Sequence, residues 1–89
     1  MSRLAIEGEL SIYRAAELKG LLLSSLASDS ALELDLAQVS ELDSAGLQLV
    51  LLAAREAQAA GKGFGIAARS PQVTEVLRLC GLEAALGQD

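Results

Sequence analysis

Residues 32–50 of the chain read LELDLAQVSELDSAGLQLV, and within this stretch the apolar spacing changes from that of a strand to that of a helix. Leucines at positions 32, 34 and 36 alternate with acidic residues, which predicts a strand. An acidic turn over residues 40–43 then leads into a helix. The predicted buried stripe of that helix consists of Leu47, Val50, Leu51, Ala54 and Ala57.

The segments on either side continue this alternation of strands and helices. Residues 4–12 alternate around Gly8 and predict a first strand, and residues 14–27 predict a helix with Ala15, Leu18, Leu22 and Leu26 on its core face. The second helix runs to about Ala60, and residues 64–68 predict a short third strand.

A third helix is predicted after Ser70 as N-cap and Pro71 as first helical residue, ending at Gly81. Its predicted buried face consists of Val73, Val76, Leu77 and Cys80. The predicted fold class is therefore α/β, in the order β-α-β-α-β-α. We expect a single domain over residues 1–89, in which helices cover a small mixed β-sheet.

Composition argues against several classes of function. The net charge of −5 and the presence of only one Tyr and one Phe disfavour a nucleic-acid partner. The chain has no histidine, which excludes a Ser-His-Asp triad and histidine-based metal sites, and the single Cys80 cannot build a zinc site. We therefore expect no catalytic residues, no metal and no cofactor, and predict that the protein is not an enzyme.

Two further patterns bear on location and on nucleotide binding. The longest apolar stretch, residues 47–54, is far shorter than a membrane span, and Glu7 interrupts any signal-peptide core, so we expect a cytoplasmic protein without membrane insertion. Residues 61–65, GKGFG, follow a helix and precede a strand, which is the reverse of a phosphate-binding loop. A helix-to-strand turn is the favoured interpretation, and nucleotide binding remains an alternative.

The start of the second helix contains an unusual glycine. Either Asp43 or Ser44 could cap this helix. Gly46 lies in its first turn, where glycine costs up to about 1 kcal/mol relative to alanine. This residue would allow another surface to approach the backbone next to the Ser44 hydroxyl.

The same helix has more apolar residues than one buried stripe requires. Leu49, Leu52 and Ala53 are apolar in addition to the predicted stripe. A second stripe begins at the hydroxyl and consists of Ser44, Gln48, Leu52 and Arg55. The helix is thus either packed on two sides or carries a protein-docking face with Ser44 at its head.

Several of these residues together resemble a STAS domain of the anti-sigma-factor antagonist type found in bacteria. The resemblance covers residues 4–86 and rests on four segments: the turn at residues 8–10, the strand at residues 32–36, the Asp-Ser-Ala-Gly-Leu motif at residues 43–47, and residues 70–82 from Ser-Pro to Gly-Leu.

The resemblance implies a phosphorylation switch. In that family the serine after the aspartate, here Ser44, is phosphorylated by a kinase that is also the anti-sigma factor. The unphosphorylated protein sequesters the anti-sigma factor, the phosphorylated protein releases it, and a phosphatase resets the system. Asp43 and Asp35 match acidic positions flanking the switch, and Gly46 and Leu47 complete the motif.

Two outcomes remain open from the sequence. Similar short STAS proteins are associated with chemotaxis signalling complexes or resemble subunits of lipid-transport ABC systems. A constitutive adaptor, in which Ser44 only caps the helix, is therefore the alternative to the switch. In both cases the expected partners are proteins, and the expected state is a monomer or a heterocomplex.

Overall fold

The fold is built on a three-stranded parallel sheet in a computed structural model that describes residues 2–82. The strands are β1 (Ser2–Leu10), β2 (Ala31–Leu42) and β3 (Gly63–Arg69), in the spatial order β1-β2-β3. The helices are α1 (Ala15–Ser28), α2 (Ser44–Ala59) and α3 (Pro71–Leu79). A short 3₁₀ turn, Ile12–Arg14, precedes α1. The predicted fold class and element order are confirmed, whereas the described strands form a parallel sheet and not the expected mixed one.

The core lies between the sheet and the helices. β2 is paired on both sides, and its leucines at positions 32, 34 and 36 are fully buried. α1 and α2 each connect neighbouring parallel strands and contact each other, so they lie on the same face of the sheet, as expected for right-handed crossovers. Leu18, Leu22 and Leu26 of α1 are buried as predicted.

β2 extends further than the sequence indicates. Its predicted acidic turn at residues 40–43 is mostly strand, because β2 continues to Leu42. Register shifts in the pairing with β1 lie opposite residues 35–38 and 39–41 of β2. The extra residues there interrupt the alternation, so that Val39 is buried at an odd position.

Three other details of the prediction are wrong. Ile12 does not belong to β1, because Ser11 caps the 3₁₀ turn and directs the chain out of the sheet. In α3, Val73 and Leu77 are buried as predicted, but Cys80 is exposed and Val76 is only half-buried.

The buried face of α2 also differs from the predicted stripe. Its buried residues are Gly46, Leu49, Val50, Ala53 and Ala57. The other three members of the predicted stripe are half-buried against the core; they are Leu47, Leu51 and Ala54. Part of the apolar excess is therefore core packing.

Candidate functional site

The candidate site lies where the carboxyl ends of parallel strands meet, which is where α/β folds commonly bind their ligands. β1 ends at Leu10 and β2 at Leu42, so the turn after β1 lies beside the start of α2. The backbone N–H of Asp43 donates to the carbonyl of Leu10 over 3.3 Å. This contact joins two segments that are more than thirty residues apart in sequence.

Asp43 is the N-cap of α2 and also fixes the neighbouring turn. Its Oδ1 accepts from the N–H of Gly46 at 2.8 Å, and its Oδ2 accepts from the N–H of Ile12 at 3.0 Å. The hydrogen bond from Gly46, followed by that from Ile12, lowers the pKa of the Asp43 carboxyl below its ordinary value. The carboxylate is consequently negative at neutral pH and held in one orientation.

Ser44 is the first residue of α2 and is exposed. Since Asp43 provides the cap, the interpretation of Ser44 as the capping residue is wrong. Within residues 2–82 the Ser44 hydroxyl has no hydrogen-bond partner. It is available to solvent or to another protein, next to a fixed negative charge.

Gly46 has an intramolecular reason for being glycine. A Cβ atom built on it would lie 1.9 Å from the carbonyl oxygen of Leu10 and 2.6 Å from the carbonyl carbon. Gly46 is also buried. The surface that approaches this residue is therefore the end of β1 in the same chain, and not an external partner as inferred from the sequence.

The second predicted stripe of α2 lies outside the core. Ser44, Gln48 and Arg55 are exposed, and Leu52 is half-buried. The stripe thus starts at the hydroxyl and follows the accessible side of the helix, where a partner protein could contact it.

Asp35 and Leu47, two residues of the predicted switch motif, do not lie on the accessible stripe of α2. Leu47 packs against the core. Asp35 is half-buried in the middle of β2, and its Oδ1 accepts from the N–H of Ala37 at 3.1 Å. At about 3.3 Å per strand residue, Asp35 lies roughly 20 Å from the end of β2. It does not flank Ser44 in space, and its local role is to hold the irregular part of the strand.

Two residues at this edge, Ile12 and Tyr13, were not among the candidates found from the sequence. Both are exposed, and the hydrogen bond from Ile12 to Asp43 places their turn beside Ser44. The available signal was Ser11, an N-capping residue type directly before them. It was overlooked because Ile12 continues the alternation of β1.

The glycine-rich segment is a turn, as favoured from the sequence. Gly61 has a positive φ of 71° after the end of α2, and Gly63 begins β3. Lys62 donates from Nζ to the carbonyl of Leu26 near the end of α1. The lysine therefore links the ends of two elements.

Metal and membrane features can be assessed for residues 2–82. No group of three or more Cys, Asp or Glu side chains in this range is arranged to hold a metal ion. None of the helices described has both the length and the apolar character needed to cross a bilayer.

Together, the parallel sheet and the accessible start of α2 at its carboxyl edge define a small α/β domain. The family model described as "Mlab, STAS domain" matches residues 1–88. The chain belongs to the STAS domain family, as the resemblance of its motifs indicated.

Two solved structures share this fold. The anti-sigma factor antagonist SpoIIAA in its unphosphorylated form has a TM-score of 0.77 and 22% sequence identity, over 93% of this chain and 76% of that chain. A sulfate transporter family protein from Wolinella succinogenes has a TM-score of 0.75 and 20% identity, over 97% of this chain and 71% of that chain. At these identities the likeness establishes the fold.

Proposed function

We propose that this protein is an anti-sigma-factor antagonist whose binding to a protein partner is controlled by phosphorylation of Ser44. The observation that carries the proposal is the exposed Ser44 hydroxyl at the first position of α2, beside the fixed carboxylate of Asp43. In this proposal the unphosphorylated protein sequesters an anti-sigma factor that is also a serine kinase, and a phosphatase restores binding.

The charge balance at Ser44 favours a change in binding over a change in fold. A phosphoserine adds about −1.5 to −2 charges. The amino end of α2 tolerates this charge, because the helix dipole is positive there, and Asp43 keeps its hydrogen bonds to Gly46 and Ile12. We therefore expect the phosphorylated domain to remain folded.

A phosphate on Ser44 would weaken the contact with a partner that packs over this residue. The phosphate introduces bulk, must be desolvated, and lies next to the negative Asp43. A loss of only about 3 kcal/mol weakens an interface more than a hundredfold. The proposed contact surface is the accessible stripe of α2, which consists of the exposed Ser44, Gln48 and Arg55 and the half-buried Leu52.

We also propose a cellular location and an assembly state for the protein. We place it in the bacterial cytoplasm as one domain over residues 1–89, acting as a monomer or within a heterocomplex and without catalytic activity, cofactor or nucleic-acid partner. Its overall charge of −5 suits a partner with a complementary basic surface.

The test uses four baits in the source cells: wild type, Ser44→Ala, Ser44→Asp and the control Ser24→Asp. Ser24 is exposed on α1, so its substitution adds the same charge away from the site. We expect a kinase-like partner on wild type, Ser44→Ala and Ser24→Asp, its loss from Ser44→Asp, and phosphate on Ser44 by mass spectrometry. Circular dichroism checks that every bait is folded. Retention of the partner by Ser44→Asp would contradict the switch.

A second candidate is a constitutive adaptor subunit of a lipid-transport ABC system or a chemotaxis signalling complex. The matched family model carries the description "Mlab, STAS domain" and does not name an anti-sigma-factor antagonist, which supports testing this second candidate. It predicts that all four baits retain the same partner and that Ser44 is unmodified.

A further inference from the structure

Two large apolar side chains project into solvent from the turn between β1 and α1. Ile12 is 60% exposed and Tyr13 is 88% exposed. The sequence has only one tyrosine and one phenylalanine, and the phenylalanine packs against the core. An aromatic residue displayed in this way is typical of the side chains that dominate protein interfaces.

The backbone under these side chains is held by hydrogen bonds on both sides. The buried Ser11 accepts from the N–H of Tyr13 at 3.3 Å through Oγ, and its carbonyl accepts from the N–H of Arg14 at 3.0 Å. Ile12 is joined to Asp43 as described above. The turn therefore presents Ile12 and Tyr13 in a fixed position, which reduces the entropy lost on binding.

Arg14 supports the same turn from the side of β1. Its Nη1 donates to the carbonyl of Glu7 at 2.5 Å and to that of Glu9 at 2.9 Å, and its Nε lies 3.6 Å from Glu17. The guanidinium is thus engaged with its own strand and helix. Glu17 and the two carbonyls offset part of its charge within the chain.

Apart from Arg14, the charged groups named around the turn are acidic. Asp43 is ionised, Glu9 is exposed and accepts from the Ser11 hydroxyl at 2.9 Å, and Glu41 is exposed near the end of β2. A complementary surface therefore needs an apolar recess for Ile12 and Tyr13, bordered by Lys or Arg side chains.

We propose that Ile12 and Tyr13 form the anchor by which this domain docks into an apolar recess, edged with basic side chains, on the protein partner that also contacts Ser44. This inference rests on the proposed function, because it assigns the partner of Ser44 a second contact. The anchor contributes to affinity whether or not Ser44 is phosphorylated. Phosphorylation of Ser44 determines whether the remaining contacts with the partner form.

Site-specific photo-crosslinking tests the contact in cells. The crosslinking residue p-benzoylphenylalanine replaces Tyr13, Gln48 or, as a control, the exposed Lys19 of α1. We expect positions 13 and 48 to crosslink to the same protein and position 19 not to do so. A crosslink from position 48 without one from position 13, or a crosslink from position 13 to a second copy of this chain, would overturn the proposed anchor.

Once crosslinking has identified the partner, titration with the purified partner separates the proposed anchor from the proposed switch at Ser44. Tyr13→Ala is expected to weaken binding at least tenfold, and Leu21→Ala, which removes another exposed side chain, to leave it unchanged. Equal affinity of Tyr13→Ala and wild type would refute the anchor even if Ser44→Asp releases the partner. Weakening by Tyr13→Ala without any effect of Ser44→Asp would support the anchor and contradict the switch.

Discussion

Replacing Gly46 with alanine tests the packing that positions the site. The added Cβ would lie 1.9 Å from the carbonyl oxygen of Leu10, about 1.5 Å short of the 3.4 Å at which ordinary contact begins. That oxygen belongs to the backbone and accepts from the N–H of Asp43, so it cannot rotate away as a flexible side chain would. The start of α2 would have to move, and the hydrogen bonds of Asp43 would lengthen.

The expected loss of stability follows from two opposing effects. Overpacking costs about 1–3 kcal/mol and sometimes more, and we expect the upper part of this range because the clash is with backbone. Alanine regains up to about 1 kcal/mol of helix propensity. The net loss is about 2 kcal/mol or more, which for a domain of this size lowers the Tm by roughly 10 °C.

The matched control is Gly20→Ala. Gly20 is exposed in α1, and apart from its neighbours in that helix no atom of residues 2–82 lies within 4 Å of the point that an added Cβ would occupy. This variant should gain up to about 1 kcal/mol, because only the propensity effect remains. Urea unfolding of both variants measures the difference. A Gly46→Ala protein as stable as wild type, or stabilised like Gly20→Ala, would refute the close approach of α2 to β1.

Three further predictions concern the residues around this contact. Hydrogen bonding lowers the pKa of Asp43, so its carboxylate stabilises the folded state at pH values above the ordinary pKa of 3.8, and this contribution is lost as the pH falls through the lower folded-state pKa. The Tm difference between wild type and Asp43→Asn should therefore narrow on acidification. A constant Tm difference would contradict the assignment of Asp43 as a stabilising carboxylate. Ser44→Ala should change the free energy of unfolding by less than about 0.5 kcal/mol, because Asp43 is the cap; a larger loss in urea unfolding would return the capping role to Ser44. Arg14→Ala removes the donors to the carbonyls of Glu7 and Glu9, so amide hydrogen exchange in residues 7–10 should accelerate; unchanged exchange there would show that Arg14 does not support the turn.

The order of elements was predictable because each carries a local signal. Alternating leucines mark β2, four-residue spacing marks α1, and Ser70 with Pro71 marks the start of α3. Each of these patterns reflects burial against the core or satisfaction of backbone groups within a few residues. Such requirements are visible in the sequence without knowledge of the tertiary contacts.

The errors arose where a distant contact or an ambiguous pattern decides the structure. Gly46 is required by the backbone of Leu10, a contact across more than thirty residues that no local pattern contains. In α2, residues 47–54 are nearly all apolar, so periodicity alone could not select Leu49 and Ala53 as core residues over Leu47 and Leu51.

The candidate site was predicted in part. The accessible stripe of α2 was found because it begins at a recognisable motif and has helical spacing. Ile12 and Tyr13 were missed because their position beside Ser44 depends on the hydrogen bond to Asp43, which forms only once β1 and α2 meet. The mid-strand position of Asp35 likewise required the full extent of β2.

Phosphorylation at Ser44 is tested by comparing the protein that carries phosphoserine at position 44, introduced during translation, with the unmodified protein. The affinity of each form for the purified partner is measured by calorimetry, and the Tm of each form is recorded. We expect binding at least a hundredfold weaker for the phosphorylated form, with a Tm within a few degrees of the unmodified form. Equal affinities, or a loss of binding that accompanies unfolding, would contradict a phosphorylation switch at Ser44.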